Sequence, residues 1–215
     1  MLSKLQTLFS LVFLSVLSLM LPSVAYAGSC YAVAGNLVVN CGFETGDFTG
    51  WTGTNLNVTG VVTAGFDGFN PNSGTYFAAL GNVGSDGILS QTQALATVVG
   101  QAYDISFYLA SDGGTPSDFS ASFGSTLLLS LTNTPPTGYI LYSFIEVATS
   151  TSTTLTFTER NDPSYWAFDD ISVAPVGAPE PGVLVLFLIS MMGLAVLAWR
   201  VDSSGASSMR SATAA

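Results

Sequence analysis

The sequence predicts an all-β protein whose central domain is an antiparallel β-sandwich. Clusters of Gly, Asn, Asp, Ser and Pro interrupt residues 28–176 roughly every 8–15 residues, a spacing typical of short strands joined by turns. The segments between them are rich in Val, Ile, Thr, Tyr and Phe, which favour strands. No segment of this domain keeps a 3.6-residue apolar period for three turns, so we expect no helix there.

Turn signals place the boundaries of the predicted strands. Examples are Asn72-Ser73-Gly74 and Asp112-Gly113-Gly114. A sandwich of about 150 residues buries enough apolar surface to fold without further cross-links. The predicted strands are, in chain order, Leu37–Asn40, Leu56–Val62, Tyr76–Gly81, Ile88–Ala94, Ala102–Ala110, Asp118–Phe123, Thr126–Leu131, Tyr139–Ala148, Thr153–Glu159 and Ala167–Val173.

Residues 1–27 are predicted to be a secretory signal peptide. Lys4 supplies the positive start, an apolar stretch runs from Leu8 to Leu21, and Ala25-Tyr26-Ala27 is a small-x-small cleavage site. The alternative, an uncleaved N-terminal anchor, is less favoured because the apolar stretch is shorter than the roughly 20 residues of a membrane span.

A second apolar segment, residues 182–199, is predicted to be a transmembrane helix. It follows a Pro-rich linker of residues 177–181, and Ser190 is its only polar side chain. As a helix it would be about 27 Å long, close to a hydrocarbon core of roughly 30 Å. Arg200 follows on the expected cytoplasmic side, and residues 200–215 are predicted to form a polar tail.

The C-terminal residues resemble the PEP-CTERM sorting signal of exported Gram-negative bacterial proteins. The likeness lies in Pro179-Glu180-Pro181, the apolar span and the Arg that follows. It implies recognition by exosortase, a membrane transpeptidase, after a transient stay in the inner membrane. The mature protein would then reach the cell surface or extracellular matrix, beside exopolysaccharide. The same kind of segment is also named after ice-binding proteins. Family members usually end soon after the span in several Arg, whereas here residues 201–215 follow.

The central domain resembles carbohydrate-binding and galactose-binding-like jelly rolls. Residues 36–51, beginning with Asn36-Leu37-Val38-Val39-Asn40 and ending at Trp51, are similar to their N-terminal signature, and Cys41 replaces its usual first Gly. Phe107 to Ala110 is similar to their central strand, and Ala167 to Val173 to their closing strand. The resemblance implies a jelly roll with a structural calcium held by acids of the first and last strands. In this sequence those acids are Glu44 and Asp169, and Asp47 is a further candidate ligand.

The two-residue period of a strand bears on the same prediction. It places Asp169 on one face with Ala167, Ile171 and Val173, and it turns Asp170 to solvent. A bare carboxylate on an apolar face is costly, so we expect Asp169 to be compensated. Calcium bound by six to eight oxygens and hydrogen bonds from backbone amides are the two interpretations that remain open.

Charge and cysteine content narrow the functional classes. Residues 28–178 carry 12 acids and one base, Arg160, so their formal charge is −11, which argues against nucleic-acid binding. The chain has no His, which excludes Ser-His-Asp triads and His-ligated zinc hydrolases. Cys30 and Cys41 are the two cysteines of the sequence, and an even number of cysteines in an exported chain favours a disulfide. We therefore predict that they are bonded to each other; two free thiols are the alternative.

Aromatic residues beside polar turns are the candidate glycan contacts, because aromatic rings stack on the apolar faces of sugars. Each of them has a core or edge position as its alternative, and Trp51 is predicted to belong to the core. The threonines of residues 149–158 alternate, but one strand does not make the repeated ladder of an ice-binding solenoid. The candidates are Tyr139, Tyr142, Tyr165 and Trp166.

We therefore predict a non-enzymatic exported protein of the envelope or extracellular matrix, sorted by its C-terminal signal. The alternative is a carbohydrate-binding module that holds exopolysaccharide. An ice-binding adhesin and a two-carboxylate glycoside hydrolase are less favoured, since no pair of acids stands out by position.

Overall fold

The computed structural model describes residues 29–56 and 59–177. The predicted signal peptide, the Pro179-Glu180-Pro181 motif, the transmembrane span and the tail lie outside these residues. Within the described part of the chain, no helix is long and apolar enough to cross a membrane.

Two five-stranded antiparallel sheets form a β-sandwich, as predicted. The described residues contain no α-helix, only two short 3-10 turns, Cys30–Ala32 and Phe66–Gly68. The first sheet has the order β1-β4-β11-β7-β8, the second has the order β2-β3-β12-β6-β9, and the short strands β5 and β10 pair with each other. The strands are β1 (Trp51–Thr54), β2 (Gly60–Thr63), β3 (Tyr76–Leu80), β4 (Gly87–Gln91), β5 (Leu95–Ala96), β6 (Ala102–Ser111), β7 (Ser117–Phe123), β8 (Thr126–Thr132), β9 (Ile140–Val147), β10 (Ser152–Thr153), β11 (Leu155–Asn161) and β12 (Trp166–Pro175).

Aromatic side chains fill the space between the sheets. Phe157 of β11 and Phe168 of β12 meet edge to face with ring centroids 4.7 Å apart, and Phe107 packs against both. Trp51 is buried 5.5 Å from Phe43, and its indole N–H donates to the carbonyl oxygen of Asn40. Trp51 is therefore a core residue, as the sequence predicted.

The N-terminal segment departs from the prediction. The expected strand Leu37–Asn40 is wrong, because its first two residues are irregular, its last two form a turn, and the backbone becomes left-handed at Asn40 (φ 50°) and again at Phe43 (φ 58°). The segment is nevertheless anchored to β12, since the N–H of Leu37 donates to the carbonyl oxygen of Val173 at 2.9 Å. Strand β1 was missed, because two threonines and a glycine give its residues 52–54 no apolar alternation.

Candidate functional site

Two adjacent carboxylates on β12 mark the candidate site. Phe168 and Ile171 both pack in the core, so two residues, Asp169 and Asp170, occupy the interval that regular alternation would give to one. Asp170 has a left-handed backbone (φ 52°), which breaks the strand period as a β-bulge does. Asp169 is 0% exposed and Asp170 only 3%. The prediction that Asp170 faces solvent is therefore wrong, because the bulge turns both carboxylates into buried positions.

Both carboxylates hold neighbouring backbone in place. Asp169 accepts hydrogen bonds from the backbone N–H groups of Asn72 (2.9 Å) and Ser73 (3.3 Å). Asp170 accepts from the side chains of Asn72 (2.8 Å) and Ser73 (2.9 Å), and from the backbone N–H of Cys30 (2.9 Å). The pair thus joins the loop after β2 and the N-terminal segment to the last strand.

No basic side chain of the described residues pairs with the two carboxyl groups. Burial, and then the charge of Asp170, raise the pKa of Asp169 to about 8, against the effect of its backbone hydrogen bonds. Arg160 is the single base in the described part of the chain, and it pairs with Asp162. Perturbed carboxyl groups of this kind are enriched at functional sites.

The other predicted metal ligands have partners of their own. Glu44 accepts from the backbone N–H groups of Thr75 (2.9 Å) and Tyr76 (3.0 Å), so it holds the far end of the same loop. Asp47 is exposed and accepts from the Thr45 hydroxyl and the Thr49 N–H; these bonds lower its pKa. Among the described residues, no three His, Cys, Asp or Glu side chains gather as a metal site.

A cavity of about 250 Å³ lies beside Asp170 on the outer face of the second sheet. Its lining includes Ser106 of β6 and Ser172 of β12, whose hydroxyl oxygens are 2.9 Å apart. Tyr108 of β6 and Leu141 of β9 also line it. The cavity thus combines an aromatic ring, an apolar side chain, two hydroxyls and a carboxylate.

The disulfide between Cys30 and Cys41 holds one wall of this cavity. Cys30, Ala32 and Val33 line it, so the N-terminal segment closes it on one side. Asn36 ties the same segment to β12: its amide donates to the carbonyl oxygens of Cys30 and Ile171, at 3.2 Å each. The wall is therefore fixed by a covalent bond as well as by hydrogen bonds.

The four aromatic residues predicted to contact glycan differ in how deeply they are buried and in what they pack against. Trp166 is buried and its indole N–H donates to the carbonyl oxygen of Arg160, so it is a core residue rather than a sugar platform. Tyr142 is half-buried and stacks on Phe107, with ring centroids 5.6 Å apart.

Tyr139 and Tyr165 pack against a small second cluster around Phe77. Burial raises the pKa of Tyr139, and Tyr165 lies edge-on to the exposed ring of Phe66. None of the four predicted residues lines the cavity, whereas Tyr108 does. Strand alternation could have found Tyr108, because it follows the inward Phe107.

No protein-family model and no curated protein matches the chain. Solved structures do match. A carbohydrate-binding module, TmCBM61, solved in complex with beta-1,4-galactotriose, has a TM-score of 0.52 and 18% identity over 66% of this chain and 99% of its own. A family 22 carbohydrate-binding module from Clostridium thermocellum has a TM-score of 0.49 and 17% identity over 67% of this chain and 98% of its own. The adhesin domain K2 of Lys-gingipain has a TM-score of 0.47 and 16% identity over 62% and 96%. The described domain is thus an all-β antiparallel sandwich, consistent with a jelly roll, and its structural neighbours include carbohydrate-binding modules.

Proposed function

We propose that the domain is a non-catalytic carbohydrate-binding module that holds polysaccharide outside the cell. The cavity beside Asp170 supports this proposal, because it combines the groups by which proteins recognise sugars. The Tyr108 ring offers an apolar face for a sugar ring. A carboxylate has about four acceptor positions, and Asp170 uses three of them within the described residues. The fourth would accept a sugar hydroxyl, and Ser106 and Ser172 would bond others.

A neutral polysaccharide is the ligand class that we favour. The domain has a formal charge of −11, so an acidic polysaccharide would be repelled over most of its surface. The carbohydrate-binding neighbour TmCBM61 was also solved with a neutral glycan, a beta-1,4-linked galactose trimer.

Replacing Tyr108 by Ala is expected to weaken glycan binding by about tenfold or more, because the stacking surface is lost. A glycan array would first identify a neutral ligand, and calorimetry would then compare dissociation constants. Phe66→Ala is the matched control: it removes an exposed aromatic ring beside Tyr165 and should leave binding unchanged. If Phe66→Ala weakened binding and Tyr108→Ala did not, the site would lie at Tyr165 instead. The absence of binding to any glycan would refute the proposed function.

We further propose that calcium neutralises the Asp169–Asp170 pair. Two adjacent buried carboxyl groups with no basic partner support this, since calcium prefers hard oxygen ligands. The donor set is incomplete, because the two carboxylates also accept N–H bonds, so backbone carbonyls or waters would have to complete the shell. Asp169 would be a direct ligand, Glu44 would hold the loop that completes the shell, and Asp47 would take no part.

We also propose export and sorting by exosortase, on the sequence of the C-terminal segment alone. Pro179 and Pro181 favour an extended backbone, and Glu180 gives it a charged side chain that a transpeptidase could recognise. Glu180→Ala should leave the protein in the inner membrane with its tail intact, as measured by fractionation and mass spectrometry. Asp202→Ala, which removes an acid on the other side of the span, should be sorted normally. Surface delivery of the Glu180→Ala protein at the normal level would refute exosortase sorting.

A further inference from the structure

Strand β9 forms an exposed apolar edge of the second sheet. It is the last strand in the order β2-β3-β12-β6-β9, and within the described residues β6 is its only paired neighbour. None of its eight residues is buried. Ile145 is 66% exposed, Val147 53% and Leu141 51%. Tyr142 and Phe144 pack against the core from this strand, yet both remain partly exposed.

The edge has few of the features by which proteins usually prevent pairing with another strand. Such features are Lys or Pro residues, bulges, short length and inward-pointing charges, and of these β9 has only Glu146, near its end. β9 contains no Lys and no Pro, and its register with β6 is unbroken from Ala102↔Val147 to Leu109↔Ile140. Its outward backbone groups therefore form a regular row that another strand could continue.

Charge restricts where a second copy of the chain could bind. The described residues carry 12 acids and one base, so two copies would repel each other over most of their surface. β9 has a single acid, Glu146. Two copies could therefore approach through this edge with less repulsion than elsewhere.

We infer that a second copy of this chain pairs with β9 in an antiparallel arrangement about a two-fold axis at Ser143. In this register Leu141 lies opposite Ile145 of the second copy, and Tyr142 lies opposite Phe144, so apolar side chains meet apolar ones. Glu146 lies opposite Ile140 at each end of the pair, which keeps the two carboxylates apart. The two sheets join into one ten-stranded sheet that spans both copies.

The register can be tested on the exported full-length chain with the Ser143→Cys variant. The native cysteines are joined to each other, so the introduced thiol has only its copy as a partner. We expect a disulfide-linked dimer on a non-reducing gel. Ser85→Cys, at an exposed loop position, should remain monomeric.

Adding Ile145→Lys to Ser143→Cys should reduce the cross-linked fraction by about tenfold, because each copy then loses an apolar contact and gains charge. Adding Val83→Lys, a comparable change at an exposed apolar residue outside β9, should not.

The outcomes separate the alternatives. Equal cross-linking of the Ser143→Cys and Ser85→Cys proteins would show random collision and overturn the inference. An uncross-linked Ser143→Cys thiol that reacts freely with an alkylating agent would show that the edge is bare. An uncross-linked thiol that resists alkylation would show that a different molecule covers it. Circular dichroism would verify that each variant is folded, and none of these readouts depends on glycan binding.

Discussion

The free energy of unfolding of the calcium-free domain is expected to fall as the pH rises from about 4 to about 8. Asp169 has a pKa of about 8 in the folded protein, because it is buried beside Asp170. Between its ordinary pKa and this value, the folded state keeps a proton that the unfolded chain has lost. Stability from this group is therefore full below about pH 4 and is lost as the pH approaches 8. The total corresponds to at most roughly 6 kcal/mol.

Urea unfolding in a chelator at several pH values would measure this dependence. Asp169→Asn should flatten most of it, because the side chain can no longer ionise. A weaker slope of the same sign should persist, since burial also raises the pKa of Glu159. Asp104→Asn, which changes an exposed acid of β6, should leave the curve as it is. If the wild type gained stability over this range in the chelator, the charge of Asp169 would have to be compensated by the protein itself.

Calcium should restore most of the stability lost at pH 8 in the wild type, because it would bind the ionised pair. Magnesium at the same concentration should do so less well, since its octahedral shell is harder to satisfy with a preformed set of oxygens. An equal response of wild type and Asp169→Asn would mean general screening of a domain with formal charge −11.

Removing the disulfide is expected to destabilise the domain by about 3 kcal/mol, chiefly because the unfolded chain gains freedom. The variant is Cys30→Ser with Cys41→Ser, and the sequence separation of the bridge is 11. For a domain of this size, the loss corresponds to a fall in melting temperature of roughly 10 °C. Scanning calorimetry would measure it.

The same change should weaken glycan binding, because Cys30 lines the cavity and its backbone N–H bonds to Asp170. Reducing agent should lower the melting temperature of the wild type and leave the double variant unchanged. A melting temperature of the double variant equal to that of the wild type would mean that the hydrogen bonds of this segment, including those of Asn36, fix it without the disulfide.

Much of the fold could be predicted because it depends on local patterns. Alternation along β7 and β11 is visible in the sequence, and the structure buries every second residue of both. The cysteine pair was identified by count and compartment, and the structure joins it. Asp169 was singled out because a carboxylate stood in an apolar strand.

The site itself depends on contacts that the sequence does not signal. The bulge at Asp170 requires a left-handed residue inside a strand, and nothing local distinguishes Asp170 from Asp169. Trp166 flanks a polar turn, which made it a candidate glycan contact beside the alternative of a core position; it lies at the start of β12, where its ring enters the core. The cavity brings together residues of the N-terminal segment, β6, β9 and β12, which are far apart in the chain.

The central position of β12 also constrains the order in which the domain can fold. Among the described residues, β12 is the last strand, and it lies between β3 and β6 in the middle of its sheet. Until residues 166–175 are available, the strand order of these residues leaves β2 and β3 without a hydrogen-bonded connection to β6 and β9. The N-terminal turns likewise need Ile171 and Val173 as partners. Folding therefore depends on contacts between distant parts of the chain, which slows it, and a chain shortened before Trp166 would leave the second sheet in two halves.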